Sequence, residues 1–255
     1  VSVLPLPGGA PSPLAVRGLA ESGAMTAPHV LIPVKALRLA KTRLARIYTP
    51  SERADLALAM FEDTLAAALH LEDVTVTVVT GDPDVARAAR ARGAAVLADP
   101  PPSAVTTGTE PLNAALSCAA VRVRASTPDA TLVALQADLP AVRSAELAQA
   151  LAEARRVGRA VVVDHTGSGT SALVHSFPDR PFEPRFGADS AARHIAAGAL
   201  ALEGDWPGLR LDVDTGDDLA GAVSLGVGPA TAAALGRIGF PLGSLRSPVP
   251  ATMNP

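Results

Sequence analysis

LVALQADLPAV, residues 132–142, is an apolar run that stops at Asp138, Leu139 and Pro140. Downstream, LRLDVDT (209–215) alternates apolar and polar residues and sets Asp212 and Asp214 two positions apart. Residues i and i+2 of a strand share a face, so both carboxylates are expected to address one cation. With Asp138 arriving from the end of a neighbouring strand, the set is oxygen-only, the kind Mg2+ takes when phosphates complete its shell. The pattern predicts metal-dependent phosphate chemistry of the nucleotidyltransferase type. Asp138 taken alone carries little, since many strands end in aspartate; the Asp-x-Asp downstream gives it weight.

Working outward, short apolar runs alternate with amphipathic stretches. Strands are predicted at HVLIPV (29–34), VTVTVVT (74–80), AAVLAD (94–99), TLVALQ (131–136), RAVVVD (159–164), SALVHSF (171–177) and LRLDVDT. Helices are predicted over 51–70 with Ser51 as candidate N-cap, over 82–93 stopped by Gly93, and over 111–125, 143–157, 188–197, 215–225 and 228–239. This alternation argues for an α/β fold with a mixed, mostly parallel sheet covered on both faces. Ligands of such sheets bind beyond the carboxyl ends of the strands, where Lys35, Asp138 and Asp212 to Asp214 fall.

The chain has 255 residues, enough for one well-filled core. Apolar residues reach 48% but aromatics only 3%, so the core must be built from Ala, Val and Leu. A formal charge of −3 gives no electrostatic case for nucleic acid as a main partner. The single cysteine, Cys118, excludes an intramolecular disulfide and a cysteine metal cage, and fits a reducing cytoplasm. No apolar run approaches the roughly 18–20 residues of a spanning helix, so no membrane partner is expected. Residues 1–24 lack the charged start and apolar stretch of a signal peptide. They read as a disordered extension, or as residues ahead of a start at Met25, and 240–255 as a disordered tail. The folded domain is then 25–239.

Several other residues are candidates for chemistry. Lys35 follows the first strand, and Lys41 and Arg43 lie on the loop after it. Cations there suit a triphosphate and its diphosphate leaving group, with a solvated basic helix end as the plain alternative. That loop has no glycine and is not a Walker motif. Gly167 to Ala172 loosely matches a dinucleotide fingerprint, but a strand rather than a helix follows it. It reads as a turn whose N–H groups and Thr170 hydroxyl approach an anion, or as a simple hairpin turn. Gly187 and Ser190 fall near a helix start, a favourable place for phosphate or carboxylate; capping by Asp189 or Ser190 is the alternative. Asn113, also at a helix start, is a candidate for a base or ribose contact, or a cap. His29, His70, His165 and His175 show no ligand spacing, and no histidine-based triad is supported.

Lys35 followed by Ala40-Lys41-Thr42-Arg43-Leu44, Asp138-Leu-Pro140, Gly169-Thr170, Arg185-Phe-Gly-Ala-Asp-Ser190 and Asp212-Val-Asp214-Thr215 occur in this order between residues 29 and 239. The combination resembles the CofC (FbiD) family of guanylyltransferases of coenzyme F-420 biosynthesis. The resemblance implies a single-domain, Rossmann-like, GT-A-type nucleotidyltransferase fold. It implies a reaction that joins GTP to a small phosphorylated three-carbon acid and releases diphosphate. On the same ground Asp138, Asp212 and Asp214 are implied as Mg2+ ligands, and Thr170, Gly187 and Ser190 as contacts to the phospho-acid. Lys35, Lys41 and Arg43 are implied as GTP phosphate binders, so that Asp138 and Lys35 carry the catalysis. One departure is Gln136-Ala137, where the family usually has Gly before the aspartate; the added methyl tests the backbone there without removing the ligand. The family's acceptors include 2-phospho-L-lactate, phosphoenolpyruvate and 3-phosphoglycerate. An Ala- and Arg-rich composition looks like that of a high-GC actinobacterium, for which the resemblance implies phosphoenolpyruvate. Labile products in the family imply a downstream transferase as a partner.

Two other readings stay open. Another GT-A-like transferase, acting on a sugar phosphate or molybdopterin, would carry a Leu-Ala-Gly-Gly-type loop where this chain has Ile32-Pro33-Val34-Lys35. A non-catalytic GTP-binding partner subunit would have little reason to keep three aspartates at strand ends.

Overall fold

A computed structural model describes residues 27–100 and 110–239. The extension expected at 1–24 and the tail expected at 240–255 lie outside the described residues. Strand β1 (Pro28–Pro33) is apolar on both faces, with Val30 and Ile32 entering one core cluster and Leu31 another. The same alternation runs along β2 (Thr75–Val79), β3 (Ala95–Leu97), β4 (Thr131–Leu135), β5 (Arg159–Val163) and β6 (Thr170–His175). In β4, for example, Val133 and Leu135 face one side while Leu132 and Ala134 face the other. With β7 (Leu200–Ala201) these form one sheet of order β3-β2-β1-β4-β6-β5-β7. Every pairing is parallel except those of β6, which runs antiparallel to β4 and to β5. The mixed, mostly parallel sheet expected from the sequence is present.

The helices are α1 (Pro50–Leu69), α2 (Pro83–Ala91), α3 (Pro111–Ser126), α4 (Ser144–Val157), α5 (Ser190–Ala196), α6 (Pro207–Arg210), α7 (Gly216–Leu225) and α8 (Pro229–Ile238). Phe61 and Leu65 of α1, Val85 of α2, and Leu147 and Leu151 of α4 cover one face. Leu116, Ala119, Ala120 and Val123 of α3 cover the other. With so few aromatics, small side chains let α3 lie close to the strands. Among the described residues no helix is long and apolar enough to cross a membrane.

Two expectations are corrected. The N-cap of α1 is Thr49, not Ser51: Thr49 accepts from the Glu52 N–H, and the Glu52 carboxylate accepts from the Thr49 N–H at 2.8 Å. A Thr-x-x-Glu capping box with Pro50 at the first helical position outcompetes a later serine. Residues 209–215 do not form a sheet strand. Residues 209 and 210 close α6, residues 211–214 belong to no helix or strand, and individual hydrogen bonds hold the segment in place. The Arg210 carbonyl accepts from His165 N–H at 2.7 Å, and Val213 N–H donates to the Asp138 carbonyl at 3.1 Å. The alternation still sorted the side chains correctly. Leu211 and Val213 enter a third core cluster with Leu44, Tyr48, Met60, Leu219 and Leu235, leaving Asp212 and Asp214 on the opposite side, toward solvent and the cleft.

That third cluster fastens the C-terminal helices to α1, and one buried carboxylate reinforces it. Asp63 on α1 accepts from the Ala230 and Thr231 N–H groups, at 3.0 and 2.8 Å, and so caps α8 from outside. A Cβ on Gly228 would come within 2.4 Å of that carboxyl group, so glycine is required for the approach. Asp63→Ala should cost about 2 kcal/mol, the sum of a lost cap and two stranded N–H groups. Urea denaturation checks this: the midpoint should fall while the slope stays constant.

Candidate active site

The carboxyl ends of β1, β4 and β5 open onto a cleft of about 840 Å3. Beyond β1 lies Lys35, beyond β4 Asp138, and beyond β5 Asp164 and His165. Because β6 runs the other way, its first residue, Thr170, arrives at the same edge. The loop after β4 is held on both sides: Gln136 N–H donates to the Ser171 carbonyl at 2.9 Å, and Leu139 N–H to the buried Thr64 hydroxyl at 3.1 Å. The bond from Val213 N–H to the Asp138 carbonyl then brings Asp212 and Asp214 alongside Asp138. Arg210 secures this last segment, donating to the carbonyls of Val163 and Leu202 at 2.7 Å each.

So many carboxylates in one corner need compensation. Lys41 supplies it from a left-handed backbone conformation (φ 52°) between two short 3-10 turns, Leu37–Leu39 and Thr42–Leu44. Its ammonium group donates to Asp138 and, at 3.1 Å, to Asp214, with its side chain only 7% exposed. Burial by itself lowers its pKa, but the two facing carboxylates outweigh burial and hold it above the ordinary lysine value. Arg43 reaches Asp214 at 3.2 Å from an exposed position, where the pair contributes little. Asp212 has no such partner. Burial first, then repulsion from Asp138, Asp164 and Asp214, raise its pKa from 3.8 to about 6. His165 stands between Asp212, at 3.4 Å, and Asp218, at 3.0 Å.

Among the described residues no three His, Cys, Asp or Glu side chains converge as a ready-made metal cage; the Lys41 ammonium group stands where such a set would close. Two observations nonetheless fit a hard cation. Asp138 Oδ1 and Asp212 Oδ1 are buried with no hydrogen-bond partner, and the available donors are carboxylate oxygens. These orphaned oxygens identify Asp138 and Asp212 as the residues with unused capacity for a cation.

The rest of the cleft is built differently. The β5–β6 turn and the start of α5 are joined by Ala191 N–H donating to the Ser168 carbonyl at 3.0 Å. There the Ser190 hydroxyl meets Thr170 Oγ1 at 3.1 Å, and His194 Nδ1 lies 3.0 Å from the same oxygen. Two glycines are needed for the close approach. A Cβ on Gly169 would sit 2.1 Å from Asp164 Oδ2, and Gly187 has φ +113° with Arg193 Nη2 2.9 Å from where a Cβ would be. His194 is buried, and burial first, then the cationic Arg159, Arg193 and Arg185, lower its pKa to about 4; a hydrogen bond with the Ser190 backbone opposes this weakly.

Of the residues singled out from sequence, Lys35, Lys41, Arg43, Asp138, Thr170, Gly187, Ser190, Asp212 and Asp214 all line this one cleft. Asn113 does not. It is buried beneath the loop, donating to the Phe186 carbonyl at 3.1 Å and accepting from the Phe186 N–H at 2.8 Å. It makes no cap on α3; instead it clamps the backbone next to Gly187. Asp189 and Ser190 likewise make no side-chain cap on α5. Asp164 and Asp218 line the cleft but are not singled out by the sequence, and His165, which shows no ligand spacing there, lines it with them. Asp164 follows an apolar strand as Asp138 does, so the same signal could have found it. His165 and Asp218 meet across 53 residues and left no local trace.

The sheet order and the acid-lined edge define a nucleotidyltransferase-type fold. Solved structures agree at the level of the fold. A Desulfovibrio desulfuricans G20 protein, provisionally described as a nucleotide-diphospho-sugar transferase, superposes with a TM-score of 0.59 at 22% identity, over 76% of this chain and 85% of its own. A 4-diphosphocytidyl-2C-methyl-D-erythritol synthase superposes with a TM-score of 0.50 at 12% identity, over 78% of this chain and 99% of its own. Residues 28–250 match the family described as guanylyl transferase, CofC like, and the chain belongs to that family. It is 54% identical over 214 residues to phosphoenolpyruvate guanylyltransferase 1 of Rhodococcus jostii (strain RHA1), covering 81% of this chain and 92% of the relative. The phosphoenolpyruvate guanylyltransferase of Mycolicibacterium smegmatis is 52% identical over 206 residues, covering 81% and 89%.

The charge balance predicts a pH signature. Asp212 has a folded pKa raised above its unfolded value, so its destabilising effect is complete above about pH 6 and fades below about pH 4. In chelator-treated protein, Asp212→Asn should therefore raise the melting temperature at pH 7.5, and the gain should shrink as the pH falls through 6 toward 4. Melting curves at a series of pH values check this; a gain independent of pH would be inconsistent with it.

Proposed function

We propose that this chain transfers the guanylyl group of GTP to the phosphate of phosphoenolpyruvate, with Mg2+ as the metal and diphosphate as the leaving product. What carries the proposal is one cleft with two chemically distinct parts. An acidic corner faces the basic loop after β1, and a second part offers hydroxyls and backbone N–H groups around Thr170, Gly187 and Ser190. Family membership and relatives named for phosphoenolpyruvate guanylyl transfer support the same substrates.

In this reading an oxygen of the acceptor phosphate attacks the α-phosphorus of GTP. The new P–O bond forms as the bond to the bridging oxygen of diphosphate breaks, and the electron pair leaves with diphosphate. The acceptor oxygen is already ionised at neutral pH, so no general base is required, and catalysis reduces to alignment and charge neutralisation. Thr170, Gly187 and Ser190 orient the phospho-acid. Lys35, exposed on the loop after β1, and Arg43 meet the departing diphosphate. Lys41 exchanges its carboxylate partners for phosphate oxygens once the acidic corner is otherwise neutralised. Asp138, Asp212 and Asp214 would hold the divalent cation, which would supply Lewis acidity and a template for the phosphates. The same reading places the reaction in the cytoplasm and passes a labile product to a downstream transferase.

Diphosphate release from GTP and Mg2+, with each phospho-acid added in turn and the downstream transferase present, tests this. Release should require phosphoenolpyruvate. Release with 2-phospho-L-lactate alone would change the acceptor and keep the reaction. Tight GTP binding with no release for any acid would point to a binding subunit. Asp138→Ala should lower turnover by about 10^3-fold, the scale of removing a principal electrostatic stabiliser, while its circular dichroism spectrum stays that of the parent. Full turnover in that variant would remove Asp138 from the site.

A further inference from the structure

His194 belongs to none of the groups used so far, yet it sits behind the turn that orients the acid. Its ring nitrogens have fixed roles. Arg185 donates its backbone N–H to Nε2 at 2.8 Å, so Nε2 is a bare acceptor. A neutral imidazole then carries its proton on Nδ1, which lies 3.0 Å from Thr170 Oγ1 and donates to it. Ser190 Oγ lies 3.1 Å from the same oxygen. Two hydroxyl protons and one ring proton are thus shared among these side chains. The ring proton is consumed internally, by Thr170 Oγ1 together with the Ser190 backbone carbonyl, and so is one hydroxyl proton, whichever hydroxyl donates to the other. Among the described residues neither hydroxyl makes a further hydrogen bond, and both residues line the cleft. One O–H is left, and the cleft is the direction open to it.

We propose that His194 is a positioning residue which, as its Nδ1–H tautomer, turns the Thr170–Ser190 hydroxyl pair into an obligate donor toward the cleft, selecting an anionic oxygen of the acceptor acid. The other tautomer would leave Thr170 free to donate to the ring, and the hydroxyl pair could then present a lone pair instead. Burial and the surrounding arginines keep the ring neutral across the working pH range, so the polarity of the pair does not switch. The ligand class follows from the donor: a carboxylate or phosphate oxygen is accepted, and an ammonium group at the same place is rejected. The assignment of substrate rests on the proposed guanylyl transfer; the assignment of the tautomer does not.

The test therefore has two parts. Nitrogen-15 NMR of the wild-type imidazole should show Nδ1 protonated and Nε2 bare at pH 7, with no titration until the pH approaches 4. An Nε2–H tautomer or an imidazolium at pH 7 would overturn the proposal even if turnover is observed. In steady-state kinetics, His194→Gln places its amide near the Arg185 nitrogen and loses the donor to Thr170. It should raise KM for the phospho-acid about tenfold, the value of a hydrogen bond to a charged group, with KM for GTP unchanged. His194→Asn, whose amide nitrogen can still approach the Nδ1 position, should raise it less. In a Thr170→Val background His194→Gln should add nothing further. Equal effects of Gln and Asn, or full additivity with Thr170→Val, would reduce His194 to loop packing. If wild-type protein turns over no phospho-acid, the guanylyl-transfer reading fails, and the tautomer measurement alone decides the role of His194.

Discussion

Like charges cannot share a corner of a cleft unless something neutralises them, and that constraint organises this protein. Asp138, Asp164, Asp212 and Asp214 all face the edge of the sheet beyond the carboxyl ends of β4 and β5. Lys41 answers two of them directly from a nearly buried position, and the attraction overcomes the desolvation of its ammonium group. Asp212, left without a cation, answers by holding its proton more tightly. Both responses describe an acidic corner short of positive charge, and the orphaned oxygens of Asp138 and Asp212 are the structural sign of the same shortage. A buried site in this condition has stability to gain from a cation, which links the folded state to its ligands.

The reversed direction of β6, alone among the described strands, also shapes the cleft. Were β6 parallel to its neighbours, Thr170 would emerge at the far edge of the sheet, away from the aspartates. Reversal brings the β5–β6 turn, and through Ser168 the start of α5, onto the edge that carries the aspartates. The two halves of the cleft then come from opposite habits of the chain: strand ends for the acids, and a hairpin turn for the uncharged donors. Asn113 and Arg193 hold the Phe186 carbonyl from two directions, so the Gly187 backbone is supported by residues that never enter the cleft.

Much of this was legible in the residues. The period-two alternation located the buried strands, and the run ending at Asp138 located an acid at the edge that opens onto the cleft. The misreadings share a cause. Ser51 was chosen as a cap by residue type, whereas Thr49 and Glu52 satisfy each other's backbone groups reciprocally. LRLDVDT alternates like a strand because one of its faces is buried, but a buried face does not require a sheet partner; α1, α7 and α8 supply the cover. Asn113 was also open to reading as a cap, because a polar residue at a helix start has several possible partners, and only the fold brings Phe186 to it.

The sequence by itself determined the α/β class, the directions in which strand side chains point, and which residues are chemically able to hold phosphates or a cation. Those properties depend on local periodicity and on side-chain type, and both are carried by neighbouring residues. Only the tertiary structure decided which of these groups meet: Lys41 with Asp138 across 97 residues, Asp214 with Lys41 across 173, and His165 with Asp218 across 53. It also decided the protonation of His194, which depends on a backbone N–H nine residues away and a hydroxyl twenty-four away. Pairing of this kind is set by how the sheet and its covering helices pack around the core, and no local pattern encodes the separation.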